Sequence, residues 1–396
     1  MALSGRADGP PLVAPDGIVR RTLELGRRLD VDALGLLGER AAALSLTRQG
    51  PVSCGGSARL VRADDGWLAV NLARDDDRAA VPAWLERSDG FDAADPWPVV
   101  EAECAGRRAD DLVGRAALLG LPVARLGEVA VPSTRPPSSA ASTELGPVPV
   151  RATWSGDAPA ASIDGALVVD LSSLWAGPLC ARLLADRGAR VVKVESTARP
   201  DGARRGPAAF FDRLHAGTES VALDLGTGGG QAALRRLIER ADIVIEASRP
   251  RALRAWGIEA AEVLAHGRGR AWVSITGFGR DSDRVAFGDD AAVAGGLVAW
   301  DESGPSFAVD AVADPLTGMA AAAAVAEALA TGGRWLLDAA LAEVAAHVAG
   351  ADRCAPWPAD ERLVAAPPRL LPAMATASAS GADNRRVAAT LGVPLP

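Results

Sequence analysis

The chain has 396 residues, with 42 Lys and Arg against 50 Asp and Glu, a formal net charge of −8. Hydrophobic residues make up 49% and charged residues 23%, a globular composition with room for two domains and a sizeable core. The acidic balance argues against the broad basic field of a nucleic-acid binder, and no run of 18 or more apolar residues offers a membrane span. The N-terminus lacks a charged-then-apolar leader, so the expected location is the cytoplasm. Cys54, Cys104, Cys180 and Cys354 are far apart and without CxxC or Cys/His spacing, which predicts neither a disulfide framework nor a zinc site.

In chain order, apolar periodicity predicts helices around 18–29 and 31–46, then a loop at Gln49–Gly56. Alternation at 58–61 and 67–72 about Asp64-Asp65-Gly66 predicts a hairpin. Helical stretches follow at 81–86, 97–104 and 109–119, with a short strand at 120–124. The stretch 131–162 is rich in Pro, Ser, Thr, Ala and Gly and reads as a linker. From 164 the pattern becomes regular: strands near 167–171, 190–194, 220–223, 242–245 and 271–275, helices near 178–187 and 229–240, a helix at 319–330 and a strand at 335–338. Alternating strands and helices predict an α/β fold with a parallel sheet. A last short helix is expected at 384–391. The division is therefore a segment at 1–135, a linker at 136–163, a large domain at 164–350 and a Pro/Ala-rich segment at 351–396 that returns to it.

The most informative stretch runs from Val168-Val169-Asp170-Leu171 through Trp175-Ala176-Gly177-Pro178 to Val191-Val192-Lys193-Val194-Glu195. It reads as a βαβ unit, the minimal cofactor-binding element of an α/β fold, but it lacks the GxGxxG of a dinucleotide site. Gly226-Thr227-Gly228-Gly229-Gly230 leads into a helix and fits either an anion-binding N-terminus or, more commonly, a plain turn. His215, His266 and His347 stand in no catalytic context, and no GxSxG pentad is present. Asp314, in Val312-Ala313-Asp314-Pro315-Leu316-Thr317-Gly318, precedes an Ala-rich helix. It fits a helix N-cap, and it also fits a carboxylate nucleophile held as the anion at a helix N-terminus. Asp289-Asp290 carries the same two readings. Arg199, Arg204, Arg205, Arg249, Arg251 and Arg254 form either a solvated face or a site for a phosphate-rich ligand.

Taken in order, several of these pieces resemble the family III CoA-transferases, which include the α-methylacyl-CoA racemases. They are the Asp170–Pro178 opening, the Leu184-Ala185-Asp186-x-Gly188-Ala189 to Glu195 run, Ser220–Leu225, Ala241–Glu246, Ser274–Gly279, Asp314-x-x-x-Gly318 and Gly333–Asp338. The resemblance covers 164–350 and implies a Rossmann-like large domain with a parallel sheet, joined to a smaller α+β domain. It implies a CoA-transferase in which Asp314 attacks an acyl-CoA thioester to give a mixed anhydride and then an aspartyl-CoA thioester, with CoA as the carried group and no metal. A weaker resemblance over 35–130, in Ser53–Leu60, Asp64–Val70 and Leu118–Ala124, implies the family's small domain with its glycine loop, here placed ahead of the large domain. Gly55 and Gly56 would then offer N–H groups to the reacting carbonyl. The CoA-contact positions implied are Trp175, Ala176, Ser196, Arg199, Thr218, Ser248, Arg254 and Asp289. The expected partners are acyl-CoA and carboxylic acid substrates and a second copy in a homodimer, interlocked as in the family, with no nucleic acid and no membrane.

The chain departs from the family's pattern at several of these positions. Ser196 stands where Arg is common, Thr218 where Lys is, and Ala247-Ser248 replaces the pair after the glutamate. Arg254 falls one residue early. Gly288-Asp289-Asp290 stands where racemases have Gly-His-Asp, which removes the second acid/base of a 2-methylacyl-CoA racemase. The missing contacts also motivate a third reading, a non-catalytic acyl-CoA-binding or structural homologue.

Overall fold

The structure is a computed structural model and describes residues 2–87, 91–131, 149–248, 250–359, 361–362 and 365–395. Its strands, in chain order, are β1 (Ala58–Ala63), β2 (Gly66–Asn71), β3 (Val123–Arg125), β4 (Arg151–Gly156), β5 (Leu167–Asp170), β6 (Arg190–Ser196), β7 (Glu219–Leu223), β8 (Ile243–Glu246), β9 (Ala271–Thr276), β10 (Val298–Asp301), β11 (Gly304–Phe307) and β12 (Arg334–Ala340).

The main sheet has seven strands in the order β4-β12-β9-β8-β5-β6-β7. All neighbours pair in parallel except β4, which runs antiparallel to β12 on the edge. Alternate residues face two separate cores. Val168, Ile243, Ile245 and Val273 pack with the helices Ala176–Ala185 and Ala313–Thr331 on one side. Val169, Val192, Val244 and Trp272 pack with the helices Gly228–Arg240 and Asn384–Leu391 on the other. Burial on both faces is why these strands are almost wholly apolar. The strand order reverses between β5 and β8, which opens a crevice at their carboxyl ends, where open α/β sheets hold ligands.

The three-stranded antiparallel sheet β1-β2-β3 is built from the predicted hairpin. One face covers its own core with the helices Asp75–Leu85, Trp97–Ala105 and Ala109–Leu119. Ala58, Leu60 and Ala69 on the other face pack against Val293, Val298 and Phe307. This seats the N-terminal sheet on the helix Gly288–Ala294 and the β10–β11 hairpin, close to the start of the helix that carries Asp314.

Part of the stretch 136–163, expected as a linker, is the edge strand β4; residues 132–148 lie outside the described residues. β4 is missed by periodicity because Arg151, Thr153 and Trp154 are all exposed, so no face of it reads as core. The expected helix over 31–46 is two short helices, Ala33–Leu36 and Glu39–Leu44. At the far edge, residues 381–384 are tied to β7. Asp383 and Asn384 accept through their side chains from the backbone N–H of Ser220 and Ala222, at 2.8 and 3.0 Å.

Candidate active site

The helix Ala313–Thr331 is buried on all sides, which its alanines permit. Gly318 explains the Asp-x-x-x-Gly spacing. A Cβ there would lie 2.7 Å from the Ala176 carbonyl oxygen and 3.0 Å from Leu179, so glycine lets this helix press against Ala176–Ala185. One turn earlier stands Asp314. Val312 occupies the N-cap position without a side-chain cap, so Asp314 is not the N-cap but a first-turn residue. Its carboxylate lies against Gly288, where any Cβ would overlap it.

Three further carboxylates surround it. Asp310 and Asp290 are wholly buried and Asp289 is 7% exposed, whereas Asp314 is only half-buried. Asp289 accepts from the Ala311 N–H at 2.9 Å. Asp290 accepts from the Asn71 side chain at 3.0 Å and from the Phe287 N–H at 3.1 Å. Asp310 pairs with Arg40 at 2.6 Å. Burial pushes the carboxyls of Asp289, Asp290 and Asp314 each up to about 7. At Asp314 the Arg40 guanidinium opposes this push, while Asp289, Asp290 and Asp310 add to it. Of the four carboxylates, Asp314 alone is only half-buried.

The glycine loop reaches the same place. A Cβ on Gly55 would lie 3.2 Å from Arg40 Nη2. The Gly56 N–H donates to the Ser53 carbonyl at 2.8 Å, so that amide is engaged within the loop. Cys54 lies beneath, its thiol donating to the Val309 carbonyl at 3.4 Å, and burial pushes it up to about 12, leaving it an unreactive thiol.

The expected CoA contacts are not all gathered. Trp175 and Ala176 follow β5, Ser196 ends β6, and Ser248 follows β8, so these stand at the carboxyl edge of the sheet by the β5/β8 crevice. Arg199 is exposed just beyond β6. The Trp175 side chain is 2% exposed and packs edge-on to Phe210 at 5.5 Å, a core position. Thr218 precedes β7, whose Glu219 pairs with Val192, and so lies at the opposite, amino edge. Arg254 is paired with Glu259 at 3.4 Å. Arg204 is bound to Glu195 at 2.5 Å and does not offer a free guanidinium. Arg249 lies outside the described residues. The glycine loop at 226–230 is a capped turn: Thr227 accepts from the Gly230 N–H at 3.1 Å.

The βαβ opening is held by buried charge. Lys193, 1% exposed, donates to the Ser172 carbonyl at 2.9 Å and pairs with Asp201 at 2.9 Å. Asp201 also accepts from the Leu174 N–H at 3.0 Å. Gly177 leaves space for Ser172, whose hydroxyl donates to Asp170. Sequence reasoning passed over Arg40, Asn71 and Asp310. The available signal was Arg40 next to an Ala-rich run and Asp310 amid Ala308, Val309 and Ala311, charges in otherwise apolar stretches.

Residues 163–374 match CoA-transferase family III, and the chain belongs to that family. The succinyl-CoA–D-citramalate CoA-transferase of Chloroflexus aurantiacus is 33% identical over 153 residues, 36% of this chain and 38% of that protein. The succinate–glutarate CoA-transferase of Agrobacterium fabrum is 32% identical over 186 residues, 42% of this chain and 46% of that protein. The human α-methylacyl-CoA racemase is 44% identical over 85 residues, 22% of this chain and 20% of that protein. The chain thus spans less than half the length of the curated relatives it matches. No described helix is long and apolar enough to cross a membrane, and among the described residues no group of three His, Cys, Asp or Glu side chains could hold a metal ion.

Proposed function

We propose that this chain moves CoA from an acyl-CoA to a carboxylic acid, with Asp314 as the nucleophile. The observation that carries the reading is the half-buried Asp314 carboxylate in a first helical turn, crowded by three buried carboxylates and faced by the glycine loop across Arg40. The carboxylate attacks the thioester carbonyl, the C–S bond breaks and CoA leaves as thiolate, giving a mixed anhydride. The thiolate then attacks the Asp314 carbonyl carbon and expels the donor acid, giving an aspartyl-CoA thioester. The acceptor carboxylate attacks that thioester and releases the thiolate. Attack of the thiolate on the acceptor's carbonyl carbon yields the new acyl-CoA and regenerates Asp314. With the Gly56 amide engaged by Ser53, the Gly55 N–H is the loop group assigned to the oxyanion.

CoA is assigned to the β5/β8 crevice beside Trp175, Ala176, Ser196, Arg199 and Ser248. The two transferases named above are named for short dicarboxylic acids, so thioesters of such acids are the first to test. A small domain at 1–135, a large domain at 164–350, a homodimer and a cytoplasmic location complete the proposal.

Intact-protein mass spectrometry after incubation with a panel of acyl-CoAs and hydroxylamine tests it. The expected result is an adduct on Asp314 that is absent from Asp314→Asn. Exchange of CoA by Asp314→Asn at the wild-type rate would overturn the assignment. A racemase would instead wash the α-deuteron of a labelled 2-methylacyl-CoA into water; Asp289 in place of a histidine speaks against that outcome.

A further inference from the structure

The segment joining β11 to the Asp314 helix is strained. Val309 and Ala311 have φ of 62° and 42°, a region costly for any residue with a Cβ and most so for a β-branched one. Between them lies Asp310, fully buried. Four groups grip this segment. Ser4 accepts from the Val309 N–H at 3.2 Å, the Cys54 thiol donates to the Val309 carbonyl, Asp289 accepts from the Ala311 N–H, and Arg40 binds Asp310. Three of the four come from the first 54 residues. The Ala311 carbonyl in turn accepts from the Asp314 N–H at 3.0 Å, so the geometry of this segment passes directly to the reactive residue.

We infer that Arg40 is a positioning residue for Asp314: its guanidinium neutralises Asp310, thereby fixing the strained Val309–Ala311 segment, and it sets the charge balance in which Asp314 ionises. The charged groups facing Asp314 are Asp289 and Asp290 from the helix Gly288–Ala294, Asp310 from the segment after β11, and Arg40 from the helix Glu39–Leu44. Arg40 acts on Asp289, Asp310 and Asp314 alike. Without it Asp310 becomes an unpaired buried charge, and Asp314 faces three carboxylates with no opposing cation among these groups. The consequence for catalysis rests on the nucleophilic role proposed for Asp314; the effect on its ionisation does not.

The test follows the Asp314 carboxyl by 13C NMR in protein labelled at aspartate, with its resonance identified by loss in Asp314→Asn. Arg40→Gln is expected to raise the titration midpoint by about one pH unit, and Arg40→Lys, which keeps the charge, by much less. Asp310→Asn alone should lower it. The difference between Asp310→Asn and Asp310→Asn/Arg40→Gln isolates Arg40 without a stranded buried charge, even where Arg40→Gln alone does not fold. Equal midpoints in those two variants would overturn the inference. The pH profile of CoA exchange should move with the midpoint. A shifted midpoint in a protein that forms no Asp314 adduct sinks the transferase reading and leaves this inference standing. Adduct formation with an unmoved midpoint does the reverse.

Discussion

Among the described residues, the buried charges near β5 and β6 and those around Asp314 are built on opposite plans. At the carboxyl edge of β5 and β6, each carboxylate has a cation within 4 Å. Lys193 lies between Asp201 at 2.9 Å and Asp170 at 3.9 Å, Arg204 holds Glu195, and nearby Arg280 holds Glu246 at 3.0 Å. Burial works against ionisation there, yet hydrogen bonds from Arg204 and the Asp201 amide bring Glu195 below its ordinary range, and Lys193 does the same for Asp201. Only the most deeply buried member, Asp170, goes up. Around Asp314, four carboxylates face one arginine, and every one is pushed up. Matched buried charge fixes the shape of a loop; unmatched charge leaves a carboxylate poised between its two protonation states at neutral pH.

The sharpest way to break the contrast is at its reactive end. Asp314→Asn should lower CoA exchange by at least about 10³-fold with no loss of melting temperature, measured by coupled assay and calorimetry. Next comes the matched end. Lys193→Met strands Asp170 and Asp201, and the expected loss is about 3–5 kcal/mol in a urea unfolding curve, with exchange in the surviving folded fraction much less affected. Gly318→Val pushes a side chain into the Ala176 carbonyl and Leu179. It should cost about 1–3 kcal/mol and lower kcat by moving Asp314 relative to the crevice.

A weaker effect distinguishes the clusters by pH. Where a folded carboxyl sits near 7, the native protein holds protons that the unfolded chain has already released between about pH 4 and 7. Stability is then greatest at the acid end of that window and falls as pH rises through 7. Asp289 and Asp290 dominate, since Asp314 retains solvent contact. The melting temperature should therefore drop between pH 5 and 8, and Asp290→Asn should flatten that slope. The smallest effect is expected at Thr218, on the amino edge of the sheet. Thr218→Ala should change KM for acyl-CoA by less than about threefold, below the 1.4 kcal/mol of a tenfold effect.

The parallel sheet was legible because β5, β6, β8 and β9 are buried on both faces and read as short, mostly apolar runs between helices. Asp314 and Gly318 were legible through a family pattern, and the packing of Gly318 on Ala176 supplies its physical reason. β4 escaped because an exposed edge strand has no apolar face to display. Arg40 and Asp310 escaped for a different reason. Their meaning lies in a contact between residues 270 positions apart, and no local periodicity encodes that. Trp175, placed by resemblance at the ligand, follows β5 at the crevice while its ring packs on Phe210, a core contact that no local pattern reveals.

The length of that Arg40–Asp310 separation has a kinetic side. Contacts of such range are entropically slow to close and form after local helices and hairpins. During synthesis Arg40 emerges long before Asp310 exists to meet it, so the N-terminal sheet and its helices must wait, folded or not, for the chain's second half. Asp314 gains its Arg40–Asp310 surroundings only when the two halves of the chain meet, and a refolding chain should regain its helices and hairpins before that pair forms.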